Sequence, residues 1–443
     1  MAEARPPRDH GRTAFDRGGN LSEPEQPAGG VEPDEAPVAE RAAEGYAPSP
    51  AARLAMYQRA GGIVTPLITA LFAFLVGGIV VVATTGKNPL RTYRAIFDGT
   101  GLNWLFPWVS GVARHDAALN LQQTLLVMTP LMLTGLAVAF AFRCGLFNIG
   151  GQGQYTVGTV VAVQTGIWFA SMPRPAHILI AIVLATLAGA VWAGIAGVLR
   201  ATVGAHEVIT TIMLNWIALW VASYLIGFGG PLQDKRFGGV NPNTPDIAAS
   251  AKLPVFWGDP QLQGLHIGFF IALAALVVFW IVLSRTTLGY EVRAVGFNAE
   301  AARYSGISVP RSYFLAMAIS GAFAGLAGAI DLLGYEFHLD LTVVQSSQIG
   351  FFGIAVALLG RNSAVGVFFA SLVFAALLNG TSARALDPSI FDPQLAGNLT
   401  RIIQGLVVLF VGADLLVLYL WQARRKLGLA GRGGLAGKEP AAS

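Results

Sequence analysis

The stretch LQQTLLVMTPLMLTGLAVAFAF, residues 121–142, decides the fold class of this chain. It contains no charged residue, and about 20 consecutive apolar residues are enough for a helix to cross a bilayer. Similar runs bring the total to about ten; the others are 63–84, 155–170, 178–199, 208–228, 266–283, 313–333, 349–359, 365–378 and 396–421. The sequence therefore predicts an all-α polytopic membrane protein of about ten hydrophobic helical segments, some of them short or broken.

Composition agrees with this class and excludes several others. Hydrophobic residues make up 54% of the 443 residues and charged residues only 12%, against about 25% charged residues in soluble domains. The formal charge of +4 comes with dispersed arginines, which indicate membrane topology rather than nucleic-acid binding. The single cysteine, Cys144, excludes an intrachain disulfide framework. The six histidines show no metal-ligand spacing, so we expect no metal site and no cofactor bound by this chain.

The two ends of the chain differ from its apolar middle. The N-terminal residues are rich in Pro, Gly, Ala, Glu and Arg, and such a composition cannot bury enough apolar surface to fold. We predict a disordered cytoplasmic tail at 1–58, a transmembrane domain at 59–423 and a cytoplasmic tail at 424–443. Arginines in the short loops favour one side of the predicted spans, which places both termini in the cytoplasm by the positive-inside rule.

The eighth and ninth segments, 349–359 and 365–378, are too short to cross a bilayer unaided. Gly360, Arg361 and Asn362 separate them. Two interpretations fit this pattern. Interrupted or re-entrant helices are tolerated at depth where protein or a cavity surrounds the freed backbone. A tight helical hairpin with its polar tip at the membrane interface is the other interpretation.

A polar stretch at 285–312 joins the sixth and seventh predicted spans. Asn298 is a favourable N-cap, Glu300 lies in the first turn, and Arg303 lies in the last turn. Gly306 suits the position after a helix end. These signals predict a helix of about two turns outside the bilayer. Because so short a helix is unstable alone, it must pack against the bundle or against a partner protein; the residues alone favour neither.

Four motifs carry a resemblance to a known family. They are GLFNIGGQGQ at 145–154, HEVITTIMLN at 206–215, RAVGFNAEAARYSGI at 293–307 and GFFGIAVALLGRN at 350–362. Together they resemble ABC importer permeases for nucleosides, simple sugars and branched-chain amino acids, and the second motif is typical of the nucleoside-type subgroup. The resemblance covers about residues 60–420.

The resemblance implies the permease subunit of an importer for nucleosides or related sugar-like solutes, in a bacterial plasma (inner) membrane. It implies a cytoplasmic ABC ATPase, a second permease subunit (homo- or heterodimer), an extracytoplasmic solute-binding lipoprotein and membrane lipid as partners. The chain has no Gly-x-x-x-x-Gly-Lys-[Ser/Thr] loop, so we expect ATP on a partner subunit. No catalytic residues are identified, and we expect a transporter subunit rather than an enzyme. The ATPase-coupling helix implied by the resemblance comprises Arg293, Gly296, Asn298, Glu300, Ala301, Ala302, Arg303 and Gly306.

Polar residues at the starts of two predicted spans, together with Phe352 in the eighth segment, are candidates for the solute pathway or for bonding the backbone of a broken helix. The full candidate set is Asn148, Gln152, Gln154, Glu207, Asn215 and Phe352. Gln152 and Phe352 stand where relatives often have Glu and Asp, and both departures remove a potential negative charge. Glu207 also suits a capping role at the interface, whereas Asn215 lies about two turns deeper and suits an interhelical or pathway contact.

An ion-coupled secondary carrier that works without an ATPase is the alternative function. Carriers of this class usually hold an intramembrane acid with a partner. Deep acids are scarce in the predicted spans, and Asp414 lies toward the predicted cytoplasmic end of the last one. This scarcity counts against the alternative.

Overall fold

A computed structural model describes residues 74–83, 86–236, 238–259 and 264–382, together with positions 398, 401, 402 and 405. The N-terminal half contains α1 (Phe74–Ala83), α2 (Pro89–Thr100), a short 3-10 helix (Leu102–Leu105), α3 (Gly111–Arg143), α4 (Gly151–Trp168), α5 (Arg174–Thr202) and α6 (Glu207–Ile226). A small antiparallel hairpin follows, with β1 (Val255–Trp257) and β2 (Leu265–His266). The remaining elements are α7 (Gly268–Arg285), α8 (Thr287–Phe297), α9 (Ala299–Tyr304), α10 (Val309–Asp331), a π-helical turn (Leu332–Glu336), α11 (Leu341–Ser346), α12 (Ile349–Leu359) and α13 (Ala364–Gly380).

The predicted class, an all-α polytopic membrane protein, is confirmed. Among the described residues, six helical stretches are long and apolar enough to cross a membrane, and two shorter apolar helices accompany them. The long ones are Gly111–Arg143, Arg174–Thr202, Glu207–Ile226, Gly268–Arg285, Val309–Glu336 and Leu341–Leu359. Most of the tenth predicted segment, part of the first and both predicted tails lie outside the described residues. The helix α2 and the β-hairpin have no counterpart in the hydropathy pattern, because neither is an apolar run.

Helix α3 lies at the centre of the bundle, where α7, α10, α12 and α13 pack around it. Its second half is buried on all sides, as shown by the fully covered side chains of the consecutive residues Leu136, Ala137, Val138 and Ala139. A helix that is hydrophobic all round is expected in such a position. The stretch that decides the fold class is therefore also the core of the molecule.

Helices α5 and α10 cross through small residues. A Cβ added to Gly189 would lie 2.7 Å from Cα of Gly325, and one added to Gly325 would lie 2.5 Å from the carbonyl oxygen of Ala185. Because lipid supplies no hydrophobic drive between helices, close backbone contact is what stabilises such a pair. The small-residue faces of the two helices thus pack on each other.

The eighth and ninth segments form a helical hairpin, α12 and α13, which supports the second of the two interpretations. Arg361 and Asn362 in its turn adopt left-handed backbone conformations (φ 51° and 52°). The carbonyl oxygen of Asn362 accepts hydrogen bonds from Nε and Nη2 of Arg143 at 3.0 and 2.6 Å, which ties the turn to the end of α3. A helix interruption does exist, but it lies at Ser347–Gln348, between α11 and α12.

At the opposite end of the bundle, the loop that follows α6 folds back over the helices. The amide of Ile247 donates to the carbonyl of Phe337, and that of Thr244 donates to the carbonyl of Leu339, both at 2.9 Å. The buried imidazole of His177 bonds Ser250 Oγ at 2.8 Å and the carbonyl oxygen of Thr165 at 3.0 Å. These bonds give the long polar loop a fixed structure, which its sequence alone did not predict.

Candidate functional site

The segment between α3 and α4, residues 144–150, enters the bundle. Asn148 near its end is completely buried, and its Nδ2 donates to Oγ of Ser320, near the middle of α10, at 2.7 Å. Ser320 in turn donates to the carbonyl oxygen of Ala137, more than a turn before the end of α3, at 2.6 Å. Helix α4 therefore begins inside the protein rather than at the end of the bundle.

A helix that starts inside the protein exposes its first backbone amides to an apolar interior, where each unbonded group is costly. Two asparagines supply the missing acceptors. Oδ1 of Asn148 accepts from the amide of Gly150 at 2.9 Å, and Oδ1 of Asn215 accepts from the amide of Gly153 at 2.7 Å. Nδ2 of Asn215 also donates to the carbonyl oxygen of Ile149 at 2.9 Å. Both side chains therefore bond the backbone of a broken helix, one of the two roles proposed for them from sequence.

The N-terminus of α12 lies beside that of α4. Oε1 of Gln152 accepts from the amide of Gly350 at 2.8 Å, and a Cβ added to Gly151 would lie 3.3 Å from the carbonyl oxygen of Gly350. Glycine at both positions permits this approach. The positive ends of two helix dipoles therefore meet at one place, where they favour electron-rich groups of a ligand.

A cleft opens next to these two helix ends, with about 660 Å³ of empty space. Its walls come from α4, α6, α11 and α12, and the described lining residues carry amide, hydroxyl and aromatic groups but no charged side chain. The lining residues are Gln152, Thr156, Ile212, Asn215, Trp216, Leu219, Val344, Gln345, Ser347, Gln348 and Phe351. A cleft of this polarity suits a small uncharged polar solute.

The structure brings four of the six candidate residues together. Gln152 and Asn215 line the cleft. Asn148 and Gln154 lie behind it and bond each other twice, from Nδ2 to Oε1 at 2.9 Å and from Nε2 to Oδ1 at 3.0 Å. Their amides are thereby oriented and closed to a solute.

The other two candidates lie elsewhere. Glu207 begins α6 and forms an ion pair with Arg200, Oε2 to Nε at 3.5 Å, near the end of α5. Phe352 packs against the ring of Phe374 on α13, with 6.4 Å between ring centroids. Its neighbour Phe351 lines the cleft instead.

Sequence reasoning missed several lining residues and one buried acid. Gln345, Gln348 and Trp216 face the cleft, but none of them is among the candidate residues proposed from the sequence. Asp331 lies in the seventh predicted segment, is buried, and accepts a hydrogen bond from the hydroxyl of Tyr155. An acid within an apolar run was the available signal, and the partner tyrosine on α4 could be recognised only in three dimensions.

The predicted short helix exists as α9. Oδ1 of Asn298 accepts from the amides of Glu300 and Ala301, both at 3.0 Å. Gly306 adopts a left-handed conformation (φ 83°) just beyond the helix end. The helix α8, which precedes it directly, was not predicted as a separate element. We call the whole stretch from Thr287 to Gly306 the coupling segment.

The coupling segment packs against the bundle on one side only. Ala302 is buried, and Gly296 lies so close to the end of α3 that a Cβ added to Gly145 would be 3.4 Å from its Cα. On the other side, the aromatic rings of Phe297 and Tyr304 are 92% and 94% exposed. The segment therefore packs against the bundle with one face and leaves the other face open to a partner protein, so neither of the two alternatives is excluded.

Comparison with known proteins identifies the relatives of this chain. Residues 120–412 match the family model described as branched-chain amino acid transport system / permease component. The chain is 36% identical to the guanosine ABC transporter permease protein NupP of Bacillus subtilis over 84% of this chain and 99% of that protein. It is 34% identical to the nucleoside ABC transporter permease protein NupB of Lactococcus lactis, over 80% and 92% of the two chains. The glucose ABC transporter permease protein TsgB13 of Haloferax volcanii is 35% identical, over 78% and 86%. No solved structure gives a significant match.

Proposed function

We propose, from the premise that this chain belongs to the branched-chain amino acid transport permease family, that it conducts nucleosides or related sugar-like solutes. Its relatives are named as permeases of ABC transporters for guanosine, nucleosides and glucose. The chain is accordingly a multi-pass membrane permease subunit rather than an enzyme. An ion-coupled carrier finds no support among these relatives.

The uncharged cleft is the observation that carries the proposed solute class. A free amino acid has an ammonium and a carboxylate, and charged side chains are the strongest partners for these two groups. The part of the cleft that the structure describes offers none. Amide side chains such as Gln152, Gln345 and Gln348 both donate and accept hydrogen bonds, which matches ribose hydroxyls and base edges. Trp216 and Phe351 supply aromatic faces on which a flat base can stack.

Three partners complete the proposed importer. A cytoplasmic ATPase binds ATP and docks on the exposed face of the coupling segment. A second permease subunit completes the pathway, and an extracytoplasmic lipoprotein delivers the solute. The exposure of Phe297 and Tyr304 supports the first of these contacts. The arginines near this end of the bundle, such as Arg143 and Arg200, support a cytoplasmic location for it.

Uptake of labelled guanosine, uridine, glucose and valine by cells that carry the complete transporter tests the solute class. We expect uptake of a nucleoside, and competition by other nucleosides but not by valine. Uptake of valine with no nucleoside uptake would refute the proposal. The same assay tests the cleft through a variant in which Trp216 loses its ring.

Trp216→Ala is expected to lower nucleoside transport about tenfold. Loss of a stacking partner costs about 0.5–1.5 kcal/mol beyond area burial, and 1.4 kcal/mol corresponds to a factor of ten. Trp220→Ala is the matched control, because Trp220 is on the same helix, 64% exposed, and outside the cleft. Equal losses in both variants would contradict a role for the cleft.

A further inference from the structure

A second pocket lies at the end of the bundle that carries the coupling segment. It has about 430 Å³ of empty space between α3, α7, α8 and the α12–α13 turn. Two arginines, Arg143 from the end of α3 and Arg293 from α8, line it together with Ser284 and Ser363. We call it the dibasic pocket. It is separate from the solute cleft, with which it shares no lining residue.

The two guanidinium groups are half-buried and close enough to repel each other. Arg143 directs Nε and Nη2 to the carbonyl oxygen of Asn362, and Arg293 directs Nε to that of Gly289 at 3.2 Å. Among the described residues, no carboxylate lies within 4.0 Å of either arginine. Nη1 of Arg143 and both terminal nitrogens of Arg293 have no hydrogen-bond acceptor in the part of the chain that the structure describes. Two partly desolvated like charges without a counter-ion are costly, and an anion between them removes that cost.

An apolar groove continues from the dibasic pocket along the outside of the bundle. It has about 710 Å³ of empty space between α7 and α13, and its walls are Leu276, Val277, Trp280, Ala364, Val365 and Phe368. Trp280 and Ala364 belong to both cavities. The groove and the pocket therefore adjoin each other, with the apolar groove along the spanning helices and the basic pocket at their end. The guanidinium of Arg285, 5.4 Å from the centroid of the Trp280 ring, adds a third positive charge at this end.

We propose that this site binds one anionic phospholipid, with the phosphate between Arg143 and Arg293 and an acyl chain in the groove. Guanidinium groups bind phosphate oxygens through paired N–H donors. A free phosphate would use the pocket but leave the groove empty, whereas a phospholipid uses both. A zwitterionic lipid offers its phosphate with a compensating ammonium, so the pocket selects a net negative headgroup.

The position of this lipid connects it to the coupling segment. Arg293 is on α8, about one turn before Gly296, which packs on the end of α3. Arg143 bonds the α12–α13 turn. A phosphate that bridges the two arginines joins these three elements. The lipid is therefore placed to hold the coupling segment against the bundle.

Lipid retention by the purified transporter complex tests the proposal. The complex is exchanged into detergent with dioleoyl-phosphatidylglycerol or dioleoyl-phosphatidylcholine, and the lipids that remain bound are counted by native mass spectrometry. We expect one phosphatidylglycerol per permease chain to survive, at least tenfold more often than phosphatidylcholine. Arg293→Gln and Val365→Glu, which alter the pocket and the groove, are each expected to lower this retention about tenfold. Arg311→Gln, an exposed arginine outside both cavities, is expected to leave it unchanged.

Three results would overturn the proposal. Equal retention of the two lipids would show that the pocket does not select a net negative headgroup. Displacement of phosphatidylglycerol by inorganic phosphate, with no effect of Val365→Glu, would show a site for a free anion. A disulfide crosslink from the variant Val365→Cys to a second protein chain would show that a protein covers the groove. Unchanged elution of Arg293→Gln on size exclusion separates loss of lipid from loss of fold.

Discussion

Asn215 shows how one side chain determines the local structure of the site. Its single amide bonds the amide of Gly153 and the carbonyl of Ile149, and it also faces the cleft. Removing it leaves two backbone groups without partners, each at a cost of about 1–3 kcal/mol. Asn215→Leu is therefore expected to lose about 2–6 kcal/mol of stability, measured as a lower melting temperature in detergent.

A matched variant separates this structural role from a contact with solute alone. Tyr224→Phe removes one hydroxyl from the same helix at a residue that is 73% exposed, and its melting temperature should not change. If Asn215→Leu melted like Tyr224→Phe but transported poorly, Asn215 would act only on the solute.

His266 gives the molecule a predicted dependence on pH. It lies in β2, outside the spanning helices, where burial lowers the pKa of its imidazole to about 4. Its Nδ1 accepts from the amide of Gly268 at 3.1 Å, which the neutral ring can do and the charged ring cannot. An unfolded histidine, with a pKa near 6.5, takes up a proton first as the pH falls. The contribution of His266 to the free energy of unfolding is therefore fully present above about pH 6.5. It is expected to be lost as the pH falls to about 4, a decrease of about 3 kcal/mol in all.

Melting temperatures at pH 7.5 and pH 5 check this expectation. Between the two values, the wild type is expected to lose more stability than His266→Gln, because glutamine takes up no proton. Identical pH dependence in both proteins would assign the effect to other groups.

At the scale of elements, the contact between α5 and α10 can be tested by changing glycine to alanine at two positions of α5, Gly189, where the two backbones touch, and Gly194, where they do not. A Cβ at Gly189 would meet backbone atoms of Gly325 at 2.7 and 2.8 Å, so Gly189→Ala must push the helices apart. We expect a loss of about 1–3 kcal/mol, as for other overpacked interfaces. A Cβ at Gly194, on the same helix, would meet only the ring of Phe314, at 3.2 Å.

Gly194→Ala is therefore the control, and it is expected to be neutral or slightly stabilising because alanine favours a helix by about 1 kcal/mol over glycine. Thermal melting in detergent measures both variants. Equal effects of the two substitutions would show that backbone contact does not determine the stability of this helix pair.

The elements also show which parts of the fold could be predicted from sequence. Apolar runs and the cap at Asn298 depend on neighbours a few residues away, and both appear in the structure where they were expected. The break at Ser347–Gln348 and the inward segment 144–150 could not be located, because the bonds that satisfy them join distant residues. Gln152 reaches Gly350, and Asn148 reaches Ser320. The sequence identified the amides but not their partners.

Across the whole molecule, one short segment connects the coupling segment to the cleft. Gly145 touches Gly296 at its start, and Ile149 is bonded to Asn215 near its end. A displacement of the coupling segment would therefore act directly on residues 145–149. This arrangement gives a physical route from the coupling segment to the cleft.

The final prediction concerns the exposed face of the coupling segment. Two double variants are each expected to uncouple ATP hydrolysis from uptake. The sequence indicates the first, Glu300→Ala/Arg303→Ala. The structure reveals the residues of the second, Phe297→Ala/Tyr304→Ala. Exposed aromatics are frequent energetic centres of interfaces, at about 2 kcal/mol or more each, so we expect the aromatic pair to lower uptake at least tenfold. Membrane insertion should not change, since all four side chains are exposed. Uptake and ATPase activity are compared with Tyr224→Ala, an exposed aromatic on α6. Normal coupled uptake in both double variants would place the ATPase contact elsewhere on the chain.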